Sequence, residues 1–131
     1  MLTLQHVSVL LLSMTSRGEA AAACCEKLSV SSCGLTALWW PHILGVYVLH
    51  KDHEDDRLLY KMVNSEKYIS RPSKGIKNFT WGVNTSPEVT WGWLRAEVAA
   101  DCPEAVAVWT AWDKEVNRMS PDKSLTVTCL L

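Results

Sequence analysis

The stretch from Trp81 to Arg95, Trp-Gly-Val-Asn-Thr-Ser-Pro-Glu-Val-Thr-Trp-Gly-Trp-Leu-Arg, constrains this chain more than any other. Trp91 and Trp93 flank Gly92 at a spacing of two. In an extended backbone Val89, Trp91 and Trp93 then share one face, and Thr90, Gly92 and Leu94 the other. Asn84-Thr85-Ser86-Pro87 is turn chemistry, and the run Ile76 to Val83 before it ends in another Trp-Gly pair, so the whole reads as two strands joined by a loop. Neither strand buries its indoles alone. Gly92 lies on the face the indoles leave empty, where a strand glycine marks the close approach of another group. A ring from Tyr47, Tyr60, Trp81 or Trp109 is the expected neighbour.

The rest of the chain carries the same extended signature. Lys27 to Ser32 and Leu125 to Cys129 alternate apolar and polar side chains, and Arg57 to Val63 alternates with Leu58, Tyr60 and Met62 on one side. Ile43 to His50 is rich in β-branched and aromatic residues, and Glu66 to Ser70 is a further short strand. The segment Leu35 to His42, bracketed by Gly34 and Pro41, reads as a connection. If it is extended, the adjacent Trp39 and Trp40 point to opposite sides, and one of them faces solvent or a partner; the competing reading has both capping the core under a loop.

Asp101-Cys102-Pro103-Glu104 has the form of a capping box with Asp101 as N-cap. Beyond it two readings stay open. Ala105, Val108, Trp109 and Trp112 fit a helical stripe, while Val106 to Trp112 also suits a strand after a single turn. Asp113 to Lys123 is polar, with Ser120-Pro121-Asp122 as a turn. The expectation is one all-β domain over residues 24–131: a small antiparallel, barrel-like meander of about six to eight short strands with one helical turn near residues 101–106.

Charge selects no partner. Thirteen basic and fourteen acidic residues are well mixed and leave a net charge of -1, so there is no basic footprint for nucleic acid or an anionic membrane. Residues 1–23 read as a signal peptide, with an apolar run through Val7, Leu10, Leu11 and Leu12 and a small-residue stretch Ala20 to Ala23. No run reaches the ~18 apolar residues that span a bilayer. Five cysteines, Cys24, Cys25, Cys33, Cys102 and Cys129, agree with a secreted, oxidising setting. Pairing the first and last strands would bring Cys25 and Cys129 to one end of the sheet, which makes them the expected bridge. Cys33 with Cys102 is the expected second bridge, leaving Cys24 unpaired.

The landmarks, in order, are Cys25, Gly45-Val46-Tyr47, Asp56-Arg57-Leu58-Leu59-Tyr60, Trp81-Gly82-Val83, Gly92-Trp93, Cys102-Pro103-Glu104, Trp109-Thr110-Ala111-Trp112 and Val127-Thr128-Cys129. This order resembles an uncharacterised small secreted, aromatic-rich β module: a Gly-x-Tyr strand, an Asn-Gly-Arg-Pro-x-Tyr hairpin, a Trp-x-x-Gly strand, a Pro, a Trp-x-x-Trp pair and a terminal cysteine strand. The likeness covers about residues 25–129. It departs at the hairpin, where Asp55-Asp56-Arg57-Leu58-Leu59-Tyr60 stands. The resemblance implies fold and compartment, implies no activity, and favours a turn plus strand over a helix at Val106 to Trp112.

Catalytic chemistry finds no constellation. None of the four histidines, His6, His42, His50 and His53, sits in a motif beside a nucleophile, and the glycines form no phosphate loop. His50, Asp52, His53, Glu54, Asp55 and Asp56 are a dense set of metal donors without calcium-loop spacing, and read as a solvated hairpin loop. The cysteines lack the Cys-x-x-Cys spacing of a structural zinc site. The chain is accordingly expected to be no enzyme and to need no cofactor and no metal. Asn78-Phe79-Thr80 and Asn84-Thr85-Ser86 are glycosylation sequons, usable only where the side chain faces water.

Recognition by aromatics remains. Trp39, Trp40, Trp91 and Trp93 are the candidate ligand-binding residues, because rigid amphipathic rings stack on sugars or anchor protein partners. The expected function is an extracellular binding module whose partner is a glycan or an extracellular protein. The competing expectation is an assembly module that buries a flat apolar patch against a neighbour.

Overall fold

The computed structural model describes residues 24–51, 58–71, 81–86 and 92–131. The proposed signal peptide, the charged loop after His50, Asn78, Trp91 and most of the Ile76 to Val83 run lie outside them.

The domain is all-β. Among the described residues nine antiparallel strands form one sheet: β1 (Lys27–Ser31), β2 (Gly45–Lys51), β3 (Leu58–Met62), β4 (Tyr68–Ser70), β5 (Gly82–Asn84), β6 (Leu94–Ala96), β7 (Trp109–Asp113), β8 (Arg118–Pro121) and β9 (Thr126–Cys129). The order across the sheet is β8-β7-β6-β5-β4-β3-β2-β1-β9. This is a meander in which the last strand returns beside the first. Laid flat, eight inter-strand spacings of ~4.8 Å would hold β8 and β9 roughly 38 Å apart. Yet only residues 122–125 join them, a link that reaches about 17 Å at most. The sheet must therefore curl into an almost closed half-barrel.

Register sets what fills the curl. Leu28 pairs with Tyr47, Tyr47 with Met62, Tyr60 with Ile69, Ile69 with Val83, Val83 with Leu94, and Leu94 with Ala111. Directly opposed residues share a face, so this chain of pairs runs round the inside, and nearly all its members are buried. Trp81, fully buried, joins them just ahead of β5. The polar tips are satisfied. The Tyr47 hydroxyl donates to the Ile43 carbonyl (2.7 Å), that of Tyr60 to the Cys25 carbonyl (2.7 Å), and the Trp81 indole N–H to the Ala100 carbonyl (2.8 Å). Burial pushes both phenols above their ordinary value, and Glu104 adds to the rise at Tyr60.

Several expectations are corrected. Leu35 to His42 is no plain connection: Leu35–Trp39 forms a short helix, α1, and Pro41–Ile43 a 3-10 turn. The adjacent Trp39 and Trp40 are both half-buried, so neither is thrown outward. The polar segment Asp113 to Lys123 contains an additional strand, β8, which brings the count to nine. It is a sheet edge, where Pro121 is tolerated and a half-exposed polar sequence suffices. Near residue 101 the turn is 3-10, Pro103–Ala105, and its N-cap is Cys102 with no side-chain cap; Asp101 does not fill that role. Glu104 instead accepts the Cys25 amide at 2.9 Å. Beyond it the chain is strand, β7, and not helix.

Cys25 and Cys129 are bonded, with α-carbons 5.7 Å apart. The second bridge is Cys24–Cys102 (5.4 Å) and not Cys33–Cys102, and Cys33 is the free, exposed thiol. The reason is geometric. Cys24 and Cys25 precede β1 while Cys33 follows it, and five strand residues at roughly 3.3 Å each separate the two ends. The 3-10 turn that carries Cys102 packs beside β9 at the Cys25 end.

Candidate functional site

Along β7, Trp109 and Trp112 are three residues apart, so a strand sends them to opposite faces. Trp109 joins the core at 2% exposure, while Trp112 remains half-buried on the other face. Its cross-strand neighbour on β8 is Met119. On the β6 side the Trp112 amide donates to the Trp93 carbonyl at 3.1 Å. Trp93, Trp112 and Met119 thus form a row across three adjacent chain segments, on the face away from Leu94 and Ala111.

The chain after α1 closes this row into a cleft. The Trp40 indole N–H donates to the Trp112 carbonyl (2.7 Å), which fixes the ring over β7. Trp40 and Trp93 are 6.3 Å apart with planes tilted by 45°. His42, from the 3-10 turn, sets its ring edge-on to Trp93 at 4.9 Å. The resulting cleft has a volume of about 570 Å³ and is lined by Trp40, Asn84, Gly92, Trp93, Arg95, Trp112 and Met119. It is an aromatic and thioether surface with one amide and one guanidinium, the composition of a ligand site that stacks flat groups and orients them with few polar contacts.

Positive charge gathers at its margin. The Lys114 ammonium lies 4.5 Å from the Trp40 ring centroid and 5.6 Å from that of Trp39, within cation–π range. Partial burial, reinforced by the charges of Lys67 and Lys114, lowers the His42 pKa and keeps its imidazole neutral near neutral pH.

Of the tryptophans singled out from sequence, the structure brings Trp40 and Trp93 together in the cleft. Trp39 does not line the cleft; it lies under the Lys114 ammonium, and its indole N–H has no partner among the described residues. Trp91 lies outside the described residues. Trp112, Met119, Arg95, Asn84 and His42 were not singled out as ligand-binding residues. For Trp112 the signal was present in the Trp-x-x-Trp pair, but it turns informative only once the segment is known to be a strand. Asn84 does not meet the water-facing condition for its sequon, since it is 9% exposed, faces the cleft and packs against Gly92.

Gly92 is the tightest point of the wall. A β-carbon built there would stand 2.5 Å from the Asn84 amide group and 2.5 Å from the Val83 carbonyl. The close neighbour is therefore an asparagine and a backbone carbonyl, not the expected aromatic ring.

The fold and this site define a curled antiparallel β domain, stapled by two disulfides, with an aromatic cleft on its outer face. No family model, curated protein or solved structure matches the chain. Among the described residues no helix is long and apolar enough to cross a membrane.

Proposed function

We propose that this domain is a noncatalytic extracellular binding module and that its ligand is a glycan, held in the Trp40–Trp93–Trp112 cleft. The observation that carries this is the convergence of three indoles and a methionine on one cleft, outside the core that consumes Trp81 and Trp109. A small sheet gains nothing in core volume from indoles on its outer face. Half-buried rings suit the apolar faces of sugar rings. Two disulfides support an oxidising, extracellular setting.

Assembly through a flat apolar patch has less support. The exposed aliphatic side chains, among them Val48, Val63, Val98 and Val116, are dispersed over separate elements. Acrylamide quenching of tryptophan fluorescence, with and without a panel of oligosaccharides, tests the glycan reading. At least one glycan is expected to shield cleft indoles in the wild type, and Trp93→Ala should weaken that binding by about tenfold or more, the loss expected for one stacked ring. Shielding by no member of a broad panel would sink the proposal.

A further inference from the structure

We propose that the cleft selects acidic saccharides, reading a sugar carboxylate through Arg95; this deepens the glycan-binding reading and rests on it. Arg95 is the only charged residue among those lining the cleft, and no carboxylate lines it among the described residues. Its cross-strand neighbours are Gly82 on β5 and Thr110 on β7. Neither neutralises it: glycine has no side chain, and the Thr110 hydroxyl donates to the Arg95 carbonyl (3.0 Å), not to its side chain. The guanidinium is exposed and without an ion-pair partner among the described residues.

One further cation lies beside it: the Lys114 ammonium sits over the Trp40 ring that lines the cleft. Of the acids on the flanking elements none lines the cleft, Glu97 beyond β6 being exposed, and two have partners of their own. Asp113 accepts the Glu115 amide (2.9 Å), and Glu66 takes Lys61 (3.5 Å) and the Tyr68 hydroxyl (2.9 Å). The chain as a whole carries a net charge of -1, so the positive character of this cleft is local and not a reflection of overall composition. A planar guanidinium matches a carboxylate with two parallel hydrogen bonds, which an ammonium does not. An indole beside it offers the stacking face for the same sugar ring. A uronic acid residue presents both features in one unit, whereas a neutral hexose leaves Arg95 unanswered.

The test compares two ligands that differ only at the carboxyl groups, trigalacturonate and its fully methyl-esterified form, by isothermal titration with the intact oxidised protein. The free acid is expected to bind at least ~10-fold more tightly than the ester, in line with a charge-assisted pair. Arg95→Gln should abolish that difference while leaving the melting temperature unchanged. The His42 imidazole, followed by NMR, should gain a higher pKa on binding the acid and not the ester, because the carboxylate offsets Lys67 and Lys114. Equal affinity for acid and ester would overturn the charge inference and leave the glycan cleft standing. A preference that survives in Arg95→Gln would overturn the assignment to that residue. Binding of neither form, while a neutral glycan shields the indoles, would overturn the acidic inference alone. Tetraglutamate binding as tightly as trigalacturonate would overturn the saccharide in favour of an acidic peptide.

Discussion

Gly92 shows how one missing side chain shapes the site. Gly92 lies in a bend just ahead of β6, so valine's greater strand propensity counts for little there, and its β-carbon would have to displace Asn84 and the Val83 carbonyl. A backbone carbonyl inside a ladder yields little, so overpacking wins. Gly92→Val is expected to destabilise by about 1–3 kcal/mol net, measured by thermal or denaturant unfolding of the oxidised protein; a variant as stable as wild type would refute the packing. Trp109 and Trp112 offer a second comparison at this scale. Trp109→Ala empties a core site and should cost about 3–5 kcal/mol, with ligand affinity intact where the protein stays folded. Trp112→Ala should cost less stability and remove binding. Equal effects of the two substitutions on stability would contradict the opposite-face assignment.

The β8–β9 turn, with the segment around α1, is the element that closes the curl. Asp122 is 4% exposed and accepts four hydrogen bonds: from the Ser32 hydroxyl (2.8 Å), the Thr36 amide (2.9 Å), and the Ser124 amide and hydroxyl (3.1 and 2.7 Å). Burial alone would raise its pKa, but the bonds from Thr36, Ser124 and Ser32 outweigh it and hold the carboxyl down to about 2. The folded value lies below the unfolded one, so the carboxylate's contribution is complete above about pH 4 and is lost as pH falls toward 2. Asp122→Asn should cost about 1.5–3 kcal/mol at neutral pH, the worth of hydrogen bonds to a charged group. It should also flatten the acid limb of a stability profile between pH 5 and 2 relative to wild type. An unchanged acid limb would show that another group sets it. The same clasp explains Gly34, where a β-carbon would stand 2.7 Å from an Asp122 carboxylate oxygen and 2.8 Å from the Ser124 hydroxyl.

For the whole molecule, the disulfides hold what the curl alone leaves at risk. The sheet has two edges, β8 and β9, and the ladder between β1 and β9 joins segments almost a full chain apart. Cys25–Cys129 spans 104 residues and Cys24–Cys102 spans 78. Closing a loop of about a hundred residues removes on the order of 4 kcal/mol of chain entropy from the unfolded state. Replacing Cys25 and Cys129 together by alanine is expected to lower stability by about 2–5 kcal/mol, whereas Cys33→Ser should change it by less than about 0.5 kcal/mol. Peptide mapping under non-reducing conditions checks the pairing directly. A Cys33–Cys102 peptide would overturn it.

How much of this was legible in the sequence follows from the range of each interaction. Strand identity came from local alternation, β-branched and aromatic runs and turn residues, and these located β1, β2, β3, β4 and β9 to within a residue or two. The Cys25–Cys129 bridge followed from pairing the terminal strands. Trp40 and Trp93 were legible as candidates because indoles are too large to be placed without consequence. Sequence could not find β8, since an edge strand half in water needs no alternation, nor α1, since five residues carry too little pattern. It could not assign Cys24 to Cys102, because that depends on which end of β1 the 3-10 turn reaches. It missed Arg95, Asn84, Trp112 and Met119 as one surface for the same reason. They come from four different strands or their flanks, and only cross-strand register, set by the core on the opposite face, places them side by side.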